Sequence, residues 1–197
     1  MAKDLYFLIK GGQTLELVKS HIAARQEQHE RNAAFVADIG ADQWYESILD
    51  GTVSGVILKE RRTDFTKPDR KGISHPKKGT EWFKRWENQT GWDRRGYELA
   101  KTFGVPTNIN YKKEGSEGWG HISHGLTSGV GFLYLSADGP YCLYVPDVAE
   151  RVQYYRDQGY TVDLTWPTEF DGAHPILKEE WELIVAQHAV DEARGRE

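Results

Sequence analysis

The sequence predicts an α+β fold, with a mixed or antiparallel sheet, a long N-terminal helix, a C-terminal helix and a β-hairpin near 130–145. Three observations predict it. Two apolar runs, Val130 to Leu135 and Tyr141 to Val145, flank Ala137-Asp138-Gly139-Pro140, and Asp-Gly between apolar runs signals a hairpin and therefore an antiparallel pair. Strand-like and helix-like periods interleave along the chain without the regular spacing of βαβ units. Asp147-Val148-Ala149-Glu150 fits the capping-box pattern, in which an acceptor at the N-cap and a glutamate three residues on satisfy free backbone N–H groups.

Each element follows from local chemistry. Asp4 to Lys10 reads as a strand with Leu5, Phe7 and Ile9 on one face and Tyr6 and Leu8 on the other, and apolar residues on both faces suit an internal strand. Gly11-Gly12 turns the chain. Thr14 to Ile39 reads as a long helix, because Leu15, Val18, Ile22, His29, Ala33 and Val36 recur at helical spacings; Thr14 suits the N-cap and Gly40 the position after the last turn. The middle of that stripe, with Arg25, Gln26, His29 and Arg31, predicts a solvated or lightly packed section. Asp42 predicts the cap of a short helix through Trp44, Tyr45, Ile48 and Leu49, ended by Asp50-Gly51, and Val53 to Leu58 is a β-branched strand interrupted at Gly55.

Residues 59–79 lack apolar periodicity and contain Pro68, Gly72, Pro76 and Gly79, so they form a basic loop, and any mobile excursion of the chain belongs there. Thr80 to Asn88 predicts a short helix with Trp82, Phe83 and Trp86, and Asp93 caps a second with Tyr97, Leu99, Ala100 and Phe103, stopped by Gly104 and Pro106. A helix from Asp147 to Gln158 closes on Gly159, Tyr160 to Leu164 forms a strand, and Pro175 opens the last helix with Leu177, Trp181, Ile184, Val185 and His188 on one face.

A chain of 197 residues is expected to form a single domain, 1–197, with a core that needs neither metal nor disulfide. The one cysteine, Cys142, lies in an apolar run and reads as a small buried hydrophobe. No stretch approaches the roughly 20 apolar residues that span a bilayer, and Met1-Ala2-Lys3-Asp4 leads directly into a short apolar run without a signal-peptide core, so a cytoplasmic location without membrane association is expected. Charge is segregated beneath the net value of -5. Residues 59–113 hold fifteen basic and seven acidic residues, whereas from residue 137 onward five basic residues meet thirteen acidic ones. Either the acidic part neutralises the basic middle internally or the middle meets an anionic partner.

Two constellations bear on chemistry. The basic middle combines Arg61, Arg62, Lys67, Arg70, Lys71, Lys77 and Lys78 with Trp82, Trp86 and Trp92, and cations beside aromatic rings are what a single-stranded nucleic-acid site requires; the same rings at helical spacing also serve as core. The glycine-rich segment 115–131 contains His121, Ser123, His124 and Ser128, which would supply a general base and a nucleophile, but it carries neither a phosphate-loop ending nor nucleophile-elbow spacing. Two histidines three apart fall short of the ligand count zinc takes, so no metal and no cofactor is expected. Glu169, Asp171, His174, Glu179 and Glu180 read as capping and helix-dipole partners, and His29 and His188 as partly buried core histidines.

The pattern Asp4-Leu5-Tyr6-Phe7-Leu8-Ile9-Lys10-Gly11-Gly12-Gln13-Thr14-Leu15-Glu16, a strand, two glycines and a long polar helix, resembles a family of small accessory proteins of unknown function from temperate tailed phages and prophages. The resemblance covers about the first forty residues and brings no catalytic residues with it. It implies a protein that acts in the bacterial host cytoplasm by binding a host or defence component. The leading expectation is therefore a non-catalytic interaction protein with a protein partner, its contact surface formed by the 59–79 loop and Trp82, Trp86 and Trp92. The alternatives are a small nucleotide-directed or nucleic-acid-directed enzyme using His121, His124 and Ser123, and direct nucleic-acid binding through the basic, tryptophan-rich segment.

Overall fold

The structure, a computed structural model, describes residues 3–46, 53–89, 95–106, 108–122 and 130–195. In chain order the elements are β1 (Lys3–Ile9), α1 (Gly12–Ile39), β2 (Ala41–Glu46), β3 (Val53–Leu58), α2 (Glu81–Gln89), α3 (Arg95–Thr102), β4 (Ile109–Lys113), β5 (Gly120–Ile122), β6 (Gly131–Tyr134), β7 (Tyr141–Asp147), α4 (Ala149–Asp157), β8 (Tyr160–Asp163), β9 (Ala173–Ile176) and α5 (Lys178–Arg194). Every described strand pair is antiparallel, and the fold is α+β with long helices near both ends of the sequence. The sequence suggests one domain; the backbone groups into two compact units, Met1–Lys19 with Arg95–Glu197, and Ser20–Arg94, with α1 running through both.

The first unit is built on a four-stranded sheet of order β6-β7-β1-β9. β1 is internal, as its two apolar faces require. Phe7 and Ile9 are buried and lie opposite Leu143 and Tyr141 of β7, and Phe132 of β6 continues the row across Leu143. Phe170 meets the edges of both Phe7 and Phe103, and Phe103 meets Phe132, at centroid separations of 4.9, 5.4 and 5.9 Å. Phe7, Phe132 and Phe170 are buried, and each such ring contributes on the order of 1.5–3 kcal/mol through its removal from water. Cys142 is fully buried in β7, as its apolar surroundings predict. The hairpin between β6 and β7 is present, but its register pairs Tyr134 with Tyr141, so the connection is longer than a two-residue Asp-Gly turn and is closed by Ser136, whose hydroxyl donates to Gly139 O.

Three boundaries differ from the sequence reading, each because a distant segment supplies what local sequence does not. α1 begins at Gly12, not after a Thr14 cap; Thr14 is buried within it, and the acceptor for Gln13 N is the carboxylate of Asp171, 158 residues away, at 2.6 Å. The carbonyl of Gly172 accepts from Lys10 N and Gly11 N beside it. Pro175 does not open the last helix but lies in β9, opposite Phe7. Among the described strands β9 pairs only with β1, and a residue lacking an N–H is tolerated on such an edge. α5 starts instead at Lys178, where the Glu180 carboxylate accepts from Leu177 N at 2.6 Å.

A second sheet of this unit, β5-β4-β8, has no counterpart in the sequence reading for β4 and β5. Ile109 is fully buried there with Val148 and Val152 of the α4 region, and Val162, Leu164 and Trp166 pack against them. Asp147 belongs to β7; its carboxylate accepts from Ala149 N at 2.9 Å, while Val148 occupies the N-cap of α4 without a side-chain bond.

The other unit comprises the rest of α1, the β2-β3 hairpin, the 59–79 segment and α2. Gly40, at φ 72°, ends α1 as expected. The helix predicted after Asp42 is instead strand β2, paired with β3 from Ala41↔Leu58 to Glu46↔Val53. Trp44 and Tyr45 have high strand propensity, and the partner strand decides the outcome. Phe35, Val36, Ile39, Val53, Val56 and Phe65 form the core, with Ala41, Trp44, Leu58, Trp82 and Trp86 packed around it. His29 is exposed rather than on the apolar stripe. The buried positions of that section are Gln28 and Asn32, joined by a 2.8 Å bond from Gln28 Nε2 to Asn32 Oδ1. The section predicted to be solvated thus carries a buried polar pair.

Candidate binding surface

Residues 59–79 fold back over β3 as a strap whose backbone is bonded at both ends. Val56 and Ser74 exchange two backbone bonds, Val56 N to Ser74 O at 3.0 Å and Ser74 N to Val56 O at 2.8 Å. The approach depends on Gly55, where an added Cβ would fall 2.5 Å from Ile73 Cγ2. The Asp69 carboxylate accepts from Lys71 N and Ile73 N at 2.8 and 2.9 Å and closes a turn around Gly72, at φ 81°. Those backbone donors hold its pKa below the ordinary aspartate value. Nearer the base, Thr66 N donates to His75 O, His75 N to Thr66 Oγ1, and Lys77 N to Asp64 O. Phe65 anchors the strap in the hydrophobic core at 2% exposure.

The candidate cations fall into two groups. Arg62 is turned inward. Its guanidinium donates Nε and Nη2 to Asp64 at 3.1 and 2.6 Å and Nη1 to Ile39 O at 3.0 Å, which satisfies a carbonyl at the end of α1. It also lies over the rings of Phe65 and Trp82, 5.0 and 5.1 Å from their centroids. The Asp64 carboxyl is held below its ordinary range, first by the Arg62 hydrogen bonds. Arg85 has a similar place, paired with Asp38 at 2.8 Å and lying over Trp82 and Phe35. By contrast Arg61, Lys67, Arg70, Lys71, Lys77 and Lys78 are exposed and make no ion pair with any described residue. Lys77 Nζ donates to Thr63 O at 2.8 Å, and nearby Lys59 pairs with Asp42 at 3.3 Å.

The tryptophans of the predicted surface have internal partners. Trp82 lies against Phe35, with the guanidiniums of Arg62 and Arg85 over its ring, 5.1 and 5.0 Å from the centroid. Trp86 packs on Phe83 and donates Nε1 to Val53 O. Trp92 lies outside the described residues, as do Ser123, His124 and Ser128. His121 is the middle residue of β5, opposite Asn110, and its side chain lies outside the described set. Among the described residues no group of three His, Cys, Asp or Glu is placed to hold a metal, and no helix is long and apolar enough to cross a membrane.

One polar site escaped the sequence reading. Glu46 Oε1 accepts from Asn32 Nδ2 at 3.2 Å and Trp44 Nε1 at 3.1 Å, and His29 Nδ1 lies 3.0 Å from the same oxygen. Burial pushes the Glu46 pKa up, but the bonds from Trp44, Asn32 and His29 together outweigh it and hold the carboxyl below its ordinary value. The site fastens β2 to α1. With His29 exposed and no nucleophile bonded to the carboxylate among the described residues, the arrangement suits structure better than acid–base chemistry.

Compared with known proteins, the chain matches no family model, no curated protein and no solved structure.

Proposed function

We propose that this chain is a non-catalytic interaction protein, of the phage accessory kind its N-terminal pattern resembles, and that it docks an acidic face of a protein partner through the cationic strap 59–79. The observation that carries this reading is the set Arg61, Lys67, Arg70, Lys71, Lys77 and Lys78, exposed and in no ion pair with a described residue, on a backbone already fixed by hydrogen bonds. A preorganised strap loses little conformational freedom on binding, and its charges speed encounter with an acidic surface. Arg62, Trp82 and Trp86, engaged internally, support the surface from beneath.

This arrangement favours a protein over a single-stranded nucleic acid. Stacking on bases needs open ring faces, and those of Trp82 and Trp86 adjoin Phe35, Phe83, Arg62 and Arg85. A chain of net charge -5 also repels a long polyanion outside its basic patch.

The test is affinity capture from nuclease-treated bacterial lysate, with the partner identified and its binding remeasured on purified components. Reversing Arg61, Lys67, Arg70, Lys71 and Lys78 to Glu should weaken that binding by about 100-fold or more, taking a few tenths of a kcal/mol for each lost attraction and a similar amount for each new repulsion. The melting temperature should hold, because these side chains are exposed. Undiminished capture by the reversed variant would refute the reading. Capture that vanishes on nuclease treatment would replace it with nucleic-acid binding.

A further inference from the structure

Helix α5 has two apolar stripes, and the fold uses one of them. Trp181 is buried, and Ile184 and His188, three and seven residues further on, are half-buried on the same face, in the helix that packs against β1. On the other side Leu183, Ala186, Val190 and Ala193 recur at spacings of three, four and three residues, and all four are exposed, Leu183 at 70% and Val190 at 44%. A 3-4-3 repeat of apolar residues is the seam by which one helix packs on another.

We propose that α5 is a self-association helix, pairing antiparallel with α5 of a second copy of this chain. Side-chain size selects that orientation. Antiparallel seams oppose the first apolar position of one helix to the second of the other, which sets Leu183 against the partner's Ala193 and Ala186 against the partner's Val190. Every layer then combines one branched side chain with one methyl, and the gap between helices stays even. A parallel pair would set Leu183 on Leu183 and Ala186 on Ala186, alternating crowded and empty layers, which is the poorer packing.

Charge points the same way. In an antiparallel pair like flanks of the seam face each other, and this register brings Arg194, in the last turn, to Glu180, in the first turn, of the other copy. The helix dipoles also oppose each other in this orientation. A single pair of short helices lies at the low end of stable interface sizes, below about 1,200 Å², so a dissociation constant on the order of 10 µM is expected.

Sedimentation velocity over about 1–500 µM, a range spanning that constant, tests the proposal on the full chain. The protein should pass from monomer to dimer. Leu183→Glu with Val190→Glu should weaken dimerisation by at least about 100-fold with an unchanged melting curve, and Arg194→Glu by about 3- to 10-fold. Orientation is read by oxidative cross-linking: Ala186→Cys with Val190→Cys in one chain should give covalent dimers, and neither substitution alone should. Buried Cys142 adds no background. A chain that stays monomeric throughout, a dimer indifferent to the Leu183 and Val190 substitutions, or cross-linking by Val190→Cys alone would each overturn the proposal.

Discussion

Replacing Glu46 tests how the 20–94 unit is held together. The carboxylate oxygen that accepts from Asn32 and Trp44 ties β2 to the middle of α1, and Asn32 is only 1% exposed. Each hydrogen bond to a charged group is worth about 1.5–3 kcal/mol, and Glu46→Ala removes both. Glu46 itself is partly exposed, so solvent screens part of this and the terms do not add in full. Glu46→Ala should therefore cost about 2–3 kcal/mol, and Glu46→Gln, which keeps an acceptor but loses the charge, about 1 kcal/mol. Urea unfolding at pH 7 followed by tryptophan fluorescence measures both. The folded-state pKa lies below the ordinary value, so this stabilisation is complete above the unfolded-state pKa of about 4.3 and is lost as pH falls through the folded-state one. Wild type and Glu46→Gln should thus converge in acid and separate near neutrality. An Ala variant within about 0.3 kcal/mol of wild type at pH 7, where exposed surface substitutions fall, would refute the account, as would a gap that widens in acid.

Two further predictions concern the other unit. Gly172→Ala should destabilise the protein by about 3 kcal/mol or more, because the residue sits at φ 73° and its Cβ would fall 1.8 Å from Gly11 O; Gly159→Ala, at φ 78° with open space around it, should cost only about 1 kcal/mol, and equal melting temperatures for the two would contradict the close contact. Cys142, fully buried and with its thiol pushed up to about 11 by that burial, should resist a thiol reagent at pH 8 in the folded protein and react fully in urea, so a native rate like that of a free thiol would contradict its packing.

Features decided within a few residues were legible in the sequence. Gly40 as the end of α1, the hairpin after Tyr134, and Thr80 ahead of α2, where its Oγ1 accepts from Phe83 N, are set by local backbone chemistry and lie where the pattern puts them. What the sequence hid was settled by partners far along the chain. Nothing around Gly12 announces that Asp171 will cap its helix, and nothing around Pro175 that β1 will take it as an edge strand. β4 was hidden for another reason: Ile109-Asn110-Tyr111-Lys112-Lys113 alternates too briefly among polar residues to stand out.

The candidate surface divides the same way. Composition locates the cations but does not sort them, and the sorting turns on neighbours such as Arg61 and Arg62. Arg62 is consumed by Asp64, Ile39 O and two rings, while Arg61 beside it points to solvent. The difference follows from Phe65, which must reach the core: the chain between Arg62 and Phe65 then runs inward, and a cation placed there finds a carboxylate and a helix end already waiting. Sequestering that cation leaves the strap with an inner, structural layer and an outer, uncommitted one. Substitutions in the inner layer should therefore appear as lost stability, and those in the outer layer as lost binding alone.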